Sequence, residues 1–236
     1  MRTSSKLWAF GCSYTAGFEL GTGLTDSDIQ AWIKSQTKYN SYQEASAALS
    51  YDEYLTTVVK PWHKFIGYKS TPELAYTGII ASMQNLSLVN CAVPGSSTIE
   101  IFEKFMSNVG EIDWDNDKVI IAPTYHGRWP TQNNKTFNVH MLDKKTLNSY
   151  YEMVPSENSQ IINYYSLLFF IQKNYPKVKL VKIYDEWSYL EMCKTINFVN
   201  EISMISYVDE ESVRLPGWHF NEKAHEKFAS YIIDKI

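Results

Sequence analysis

The chain has 236 residues, 44% of them apolar and 20% charged, with a net charge of −4 and a pI near 5.8. That length suits one large domain, residues 1–236, and that composition excludes a disordered chain. It also excludes the basic field that holds a phosphate backbone, so nucleic acid is not an expected partner.

The first element is a strand, Lys6–Cys12, whose Leu7-Trp8-Ala9-Phe10 core is continuously apolar. The preceding Met1-Arg2-Thr3-Ser4-Ser5-Lys6 reads as no signal peptide, so a cytoplasmic location is expected. Residues 18–70 are mixed, with turn chemistry at Gly21, Gly23, Asp26 and Asp28, and read as an insertion with short helices. Pro72 suits a helical first turn, and Glu73–Leu86 follows as a helix. A second strand is expected at Leu86–Val93, then an amphipathic helix at Ser96–Val109. That helix sets Ile99, Phe102, Phe105, Met106 and Val109 on one face, with Ser96 or Ser97 as its cap and Gly110 at its end. The third strand, Lys118–Thr124, is apolar without alternation, as in a strand covered on both faces. Residues 127–157 are polar and aperiodic, a second insertion.

Ser159–Tyr175 is predicted as a helix apolar nearly all round and therefore buried. Its apolar run, Ile161–Ile171, falls short of the ~20 residues that span a bilayer, so no membrane partner is expected. Val178–Tyr184 is a fourth strand, 187–198 a helix and Ser203–Val208 a short fifth strand. Asn221–Ile236 closes the chain as an amphipathic helix. Strand–helix alternation predicts an α/β fold: a three-layer α/β/α sandwich with a central, mainly parallel five-stranded sheet. Ligands of such sheets bind beyond the carboxyl ends of the strands, where Ser13, Gly95 and Thr124 all fall.

The three cysteines, Cys12, Cys91 and Cys193, are too few and scattered for a disulfide framework. They read as reduced thiols, with Cys12 and Cys91 candidate neighbours at strand ends. The five histidines show no metal-like pairing in sequence, so no metal or cofactor is expected.

Three strings carry the chemistry. Phe10-Gly11-Cys12-Ser13-Tyr14-Thr15 places a serine on a tight turn after the first strand. Asn90-Cys91-Ala92-Val93-Pro94-Gly95 ends the second strand on a glycine whose N–H a ligand can approach. Gly217-Trp218-His219-Phe220-Asn221 sets a histidine before the last helix. In this order and context the strings resemble the SGNH (GDSL-type) hydrolase superfamily. The resemblance implies a flavodoxin-like fold and a serine esterase. Ser13 is then the nucleophile and His219 its base; the Ser13 and Gly95 N–H groups hold the oxyanion. Ser13 also reads as a helix N-cap, and the two roles are compatible. His225 reads as structural, hydrogen-bonded within its helix. The residue between glycine and serine, Cys12, points away from the site on a regular strand.

Two positions depart from the family pattern. The aspartate expected three residues before the histidine is Pro216; Asp209, Glu210, Glu211 or Asp185 could substitute, or the site is a Ser–His dyad. The asparagine that donates to the oxyanion is absent after the third strand, where Thr124 takes its place by position. Tyr14, Tyr125, His126, Arg128 and Trp218 flank the motifs as candidate substrate contacts, with an O-acetylated glycan or small-molecule ester as substrate. An acyltransferase, or a catalytically degenerate binding module, uses the same residues. The Gly-Cys-Ser variant and long insertions resemble divergent members common in tailed phages, which would add the virion to the expected locations.

Overall fold

The computed structural model describes residues 5–125, 128–130, 136–138, 157–185, 195–208, 214–217 and 219–236. Its centre is a parallel sheet of four described strands: β1 (Lys6–Phe10), β2 (Ser87–Asn90), β3 (Lys118–Ile121) and β6 (Val178–Leu180), in the order β2-β1-β3-β6. The register pairs Trp8 with Val89 on one side and with Val119 on the other. Arg128–Pro130 (β4) and Thr136–Asn138 (β5) form a separate antiparallel pair.

Side chains of β1 and β3 alternate between two cores, as the period of two requires. Leu7, Ile120 and Ala122 face one cluster. There they meet α6 (Tyr76–Met83), α9 (Met204–Val208) and α10 (Glu222–Ile232). Trp8, Phe10, Val119 and Ile121 face the other, with α7 (Thr98–Asn108) and α8 (Glu157–Asn174). Helices on both faces explain the unbroken apolar runs of the strands. Burying a side chain such as Phe105 or Phe228 contributes about 1.5–3 kcal/mol.

The α1 turn (Ser13–Ala16) follows β1 directly. Residues 18–70 then form α2 (Asp26–Gln36), α3 (Tyr42–Ala48), α4 (Tyr51–Tyr54) and α5 (Lys60–Phe65), the last two joined by a π-helical stretch, Leu55–Val59. They gather around a third cluster of Ile33, Tyr54, Val58 and Trp62, which also takes Leu215. Capping boxes at Thr25–Asp28, Ser50–Glu53 and Ser97–Glu100 start α2, α4 and α7.

Four expectations need correction. Residues 204–208 are the helix α9, not a fifth strand: buried Met204 and Val208 recur at a helical spacing. Beside β6 lies instead Phe198, in a single parallel bridge to Leu180, so the expected helix does not reach Phe198; its residues 187–194 lie outside the described part. Helix α8 is not buried all round, because Ile162, Phe169 and Phe170 are exposed. Cys12 and Cys91 are not packed as neighbours: Cys12 belongs to the first core and Cys91 packs against the second. The 127–157 segment, apart from β4, β5 and the start of α8, and Cys193 lie outside the described residues. Among the described residues no helix is long and apolar enough to cross a membrane.

Candidate active site

The order β2-β1-β3 makes the chain leave β1 to one side and return on the other. That places a crevice at the carboxyl ends of β1 and β3. Ser13 and Thr124 follow those two strands. Cys12 is extended (φ −97°, ψ −155°) and Ser13 opens the single helical turn α1, which Gly17 ends in the left-handed conformation (φ +68°). Gly11 is required where the turn folds back, since a Cβ there would lie 2.7 Å from Thr15 Cβ. The described hydrogen bonds of Ser13 are those of its carbonyl, which accepts the Phe18 N–H at 3.0 Å and the Gly17 N–H. Cys12 turns into the core beside Tyr76 and Ile120, away from a nucleophile's position, as its alternation with Ser13 predicts.

His219 is presented by a tight loop. Arg214 and Phe220 form an antiparallel bridge, and the Leu215 N–H donates to the His219 carbonyl at 2.6 Å. Asn221 then caps α10 by accepting from the Ala224 N–H at 3.1 Å. The imidazole packs against the segment that carries Ser13: its centroid is 5.3 Å from that of Tyr14 and 5.1 Å from that of Phe18.

A carboxylate that sequence reasoning missed lies beside this ring. Nδ1 of His219 lies 3.3 Å from Oε1 of Glu19, an ion-pair contact without well-aligned hydrogen-bond geometry. The Glu19 side chain is fully buried, and the same oxygen is in short contact with Nε2 of His63. Burial pushes the Glu19 carboxyl up, but the neighbouring imidazoles of His219 and His63 outweigh it and hold the group at about 2. Glu19 is therefore an anion at neutral pH. Its backbone is left-handed (φ +70°), an unusual conformation for a glutamate, which turns the side chain inward. Gly217 closes over it: a Cβ there would overlap Glu19 Oε1 and fall 2.5 Å from His63 Nε2. The signals in the sequence were Gly217 and the carboxylate between Gly17 and Gly21, which the turn chemistry of that stretch concealed.

The other expected residues divide. Gly95 has φ +86°, and nothing lies within 4 Å of a Cβ built on it, so its backbone is open to an approaching group. Asn90 ties the second motif to the first, donating to the Thr15 carbonyl at 3.0 Å and accepting from the Ala92 N–H at 2.8 Å. Thr124 is fully buried. Its carbonyl accepts from Thr98 Oγ1 at 3.0 Å, while its own hydroxyl has no partner among the described residues. Tyr14 is a buried wall, packed on Tyr184, His219 and Phe220 rather than presented to a substrate. Tyr125 is half-buried against Tyr184. Asp185 is exposed and accepts from the Ser206 hydroxyl at 2.5 Å, so it is occupied away from His219. Asp209, His126, Trp218 and the Arg128 side chain lie outside the described part. His225 is structural, but its partner is not in its own helix: Nδ1 accepts the Tyr76 N–H, 3.1 Å away, at the start of α6.

Although His63 and His219 are far apart in sequence, their ring nitrogens and a Glu19 oxygen all lie within 4.8 Å of one another, a donor set that the spacing of the histidines hid.

No protein-family model matches the chain, and no curated protein matches it in sequence. Solved structures to which it is similar include a putative lipolytic protein of the G-D-S-L family from Desulfitobacterium hafniense DCB-2. That match has 10% identity and a TM-score of 0.47, over 98% of this chain and 99% of that one. A lipase/acylhydrolase from Enterococcus faecalis is similar at 14% identity and a TM-score of 0.41, over 98% and 95% of the two chains. A family two carbohydrate esterase from Clostridium thermocellum is similar at 13% identity and a TM-score of 0.47, over all of this chain and 64% of that one.

Proposed function

We propose that the chain is a divergent SGNH-type serine hydrolase that cleaves a carboxylic ester through Ser13, His219 and Glu19. The observation that carries this reading is the buried Glu19 carboxylate, 3.3 Å behind an imidazole that packs on the Ser13 turn. A carboxylate at Nδ1 fixes the tautomer that leaves Nε2 free as a base, and it stabilises the imidazolium formed next. Ser13 Oγ attacks the ester carbonyl while its proton passes to Nε2, and the C–O bond to the alcohol breaks as that proton is delivered to the leaving oxygen. Water then enters by the same base catalysis and releases the acid from Ser13. The Ser13 and Gly95 N–H groups, with the Thr124 hydroxyl, form the oxyanion hole. Removing one such donor typically costs ~10²–10³ in rate. The Ser13–His219 hydrogen bond forms with substrate bound, since catalytic contacts commonly tighten only then. The substrate class we assign is an O-acetylated glycan, on the aromatic residues Tyr125 and Trp218 at the motifs.

The test is labelling with a fluorophosphonate probe and mapping of the adduct by mass spectrometry. Expected are an adduct on Ser13, its loss in Ser13→Ala and His219→Ala, and labelling slowed by ~10²–10⁴ in Glu19→Gln. Absence of any adduct on the folded wild type would overturn the enzyme reading in favour of a binding module. Release of acetate from acetylated xylan supports the substrate class; activity confined to long acyl chains would overturn it.

A further inference from the structure

We propose that Glu19, His63 and His219 form a binding site for a divalent metal ion of the zinc class, and that its occupancy switches the Ser13 hydrolase off. The second half rests on the hydrolase reading above; the first half stands without it. Two imidazole nitrogens and a carboxylate are the donor set that zinc prefers, and three protein ligands leave a fourth position for water. Tetrahedral bonds of 2.0–2.2 Å place ligand atoms roughly 3.3 Å apart. His219 Nδ1 and Glu19 Oε1 are separated by 3.3 Å, and all three donors fall within 4.8 Å.

The surroundings fit an ion as well. The second carboxylate oxygen, Glu19 Oε2, is buried with no hydrogen-bond partner among the described residues, and so is His219 Nδ1. Gly217 carries no side chain here, which gives Glu19 Oε1 and His63 Nε2 the room to converge. Phe18 packs against both imidazoles, its ring centroid 5.1 Å from each and steeply inclined to both. The His63 and His219 side chains keep 17% and 16% of their surface exposed, so an ion can enter from solvent, while Glu19 at the back is sealed. The three ligands come from the turn after α1, from α5 and from the loop before α10, so the site exists only in the folded chain.

The switch follows from the imidazole itself. A metal bound at Nδ1 takes the lone pair there, so the neutral ring is held in its other tautomer, with its single proton moved from Nδ1 to Nε2 through solvent. That nitrogen has no lone pair with which to take the proton of Ser13, so the nucleophile stays neutral.

The full chain, stripped with chelator, is titrated with Zn²⁺ by calorimetry and with Co²⁺ by visible absorption, and labelled with the fluorophosphonate probe at each Zn²⁺ concentration. Expected are one ion per chain and binding weakened at least tenfold in both His63→Ala and Glu19→Gln. Labelling should fall over the same Zn²⁺ range and return with chelator. Circular dichroism establishes that each variant is folded, and His63→Gln, which keeps most of the side-chain volume, replaces His63→Ala if the latter is not. Absence of saturable binding to the wild type overturns the site, as does binding indifferent to both substitutions. Binding that leaves labelling unchanged overturns the switch. If metal-free wild type fails to label but still binds Zn²⁺, the hydrolase reading falls and the metal site stands.

Discussion

Glu19 and Gly217 are coupled at the scale of single atoms. Two imidazoles pack against the buried carboxylate and orient it, and there is room for it because residue 217 carries no side chain. Gly217→Ala puts a methyl group where Oε1 now lies. The pinned carboxylate must move, and the imidazole loses its anion. The prediction is a folded protein whose labelling rate at Ser13 falls by ~10²–10⁴, as in Glu19→Gln. Melting temperature and labelling rate measured together separate this from simple unfolding; a Gly217→Ala protein that labels at the wild-type rate would show that Gly217 plays no part in positioning Glu19. Ser13 and His219 were legible as candidates because each stands in a local string whose backbone chemistry is self-contained. Glu19 was not, since its role depends on a left-handed backbone and on contacts with residues 44 and 200 positions away.

Between elements, the segment 18–70 is a clamp on the loop that carries His219. Tyr54 donates its hydroxyl to the Pro216 carbonyl at 3.0 Å, and Tyr42 donates to the Arg214 carbonyl at 2.6 Å. Leu215 is inserted into the apolar cluster of α2, α4 and α5. The loop is thus held at three consecutive residues, 214 to 216. Tyr54→Phe deletes the buried donor to Pro216 while keeping the ring, at a cost of about 1–3 kcal/mol for the stranded carbonyl. A fall in melting temperature of several degrees and a slower Ser13 adduct are expected by thermal denaturation and timed labelling. Strand cores were readable because both-face burial leaves a continuous apolar run. Residues 203–208 misled because a stretch of five or six apolar-rich residues has no period long enough to separate strand from helix. Helix α8 misled for a related reason: its exposed Phe169 and Phe170 obscure the buried Ile161–Leu168–Ile171 face.

At the scale of the molecule, the last helix closes the structure by docking on α6, and His225 is the polar joint between them. Its Nδ1 satisfies the Tyr76 N–H, one of the orphan donors at the start of α6, and its ring stacks on that of Tyr76 at 6.2 Å. Full burial, with a smaller contribution from the charge of His219, lowers the pKa of His225 to about 3 from the ordinary 6.5. The folded chain therefore holds this imidazole neutral between those values, while the unfolded chain binds a proton. Stability contributed by the neutral joint is fully present above pH 6.5 and is lost as the pH falls toward 3, because the unfolded state binds more protons across that window. The slope reaches about 1.4 kcal/mol per pH unit near the middle of it. Glu19 adds a loss of the same sign only lower down, between its ordinary 4.5 and about 2, so the interval from pH 6.5 to 5 isolates the histidine. Over that interval the wild type should lose melting temperature steadily, whereas His225→Gln, which keeps an acceptor for Tyr76 but cannot titrate, should start lower and stay level. Parallel decline of the two proteins would mean that His225 is not the group that titrates.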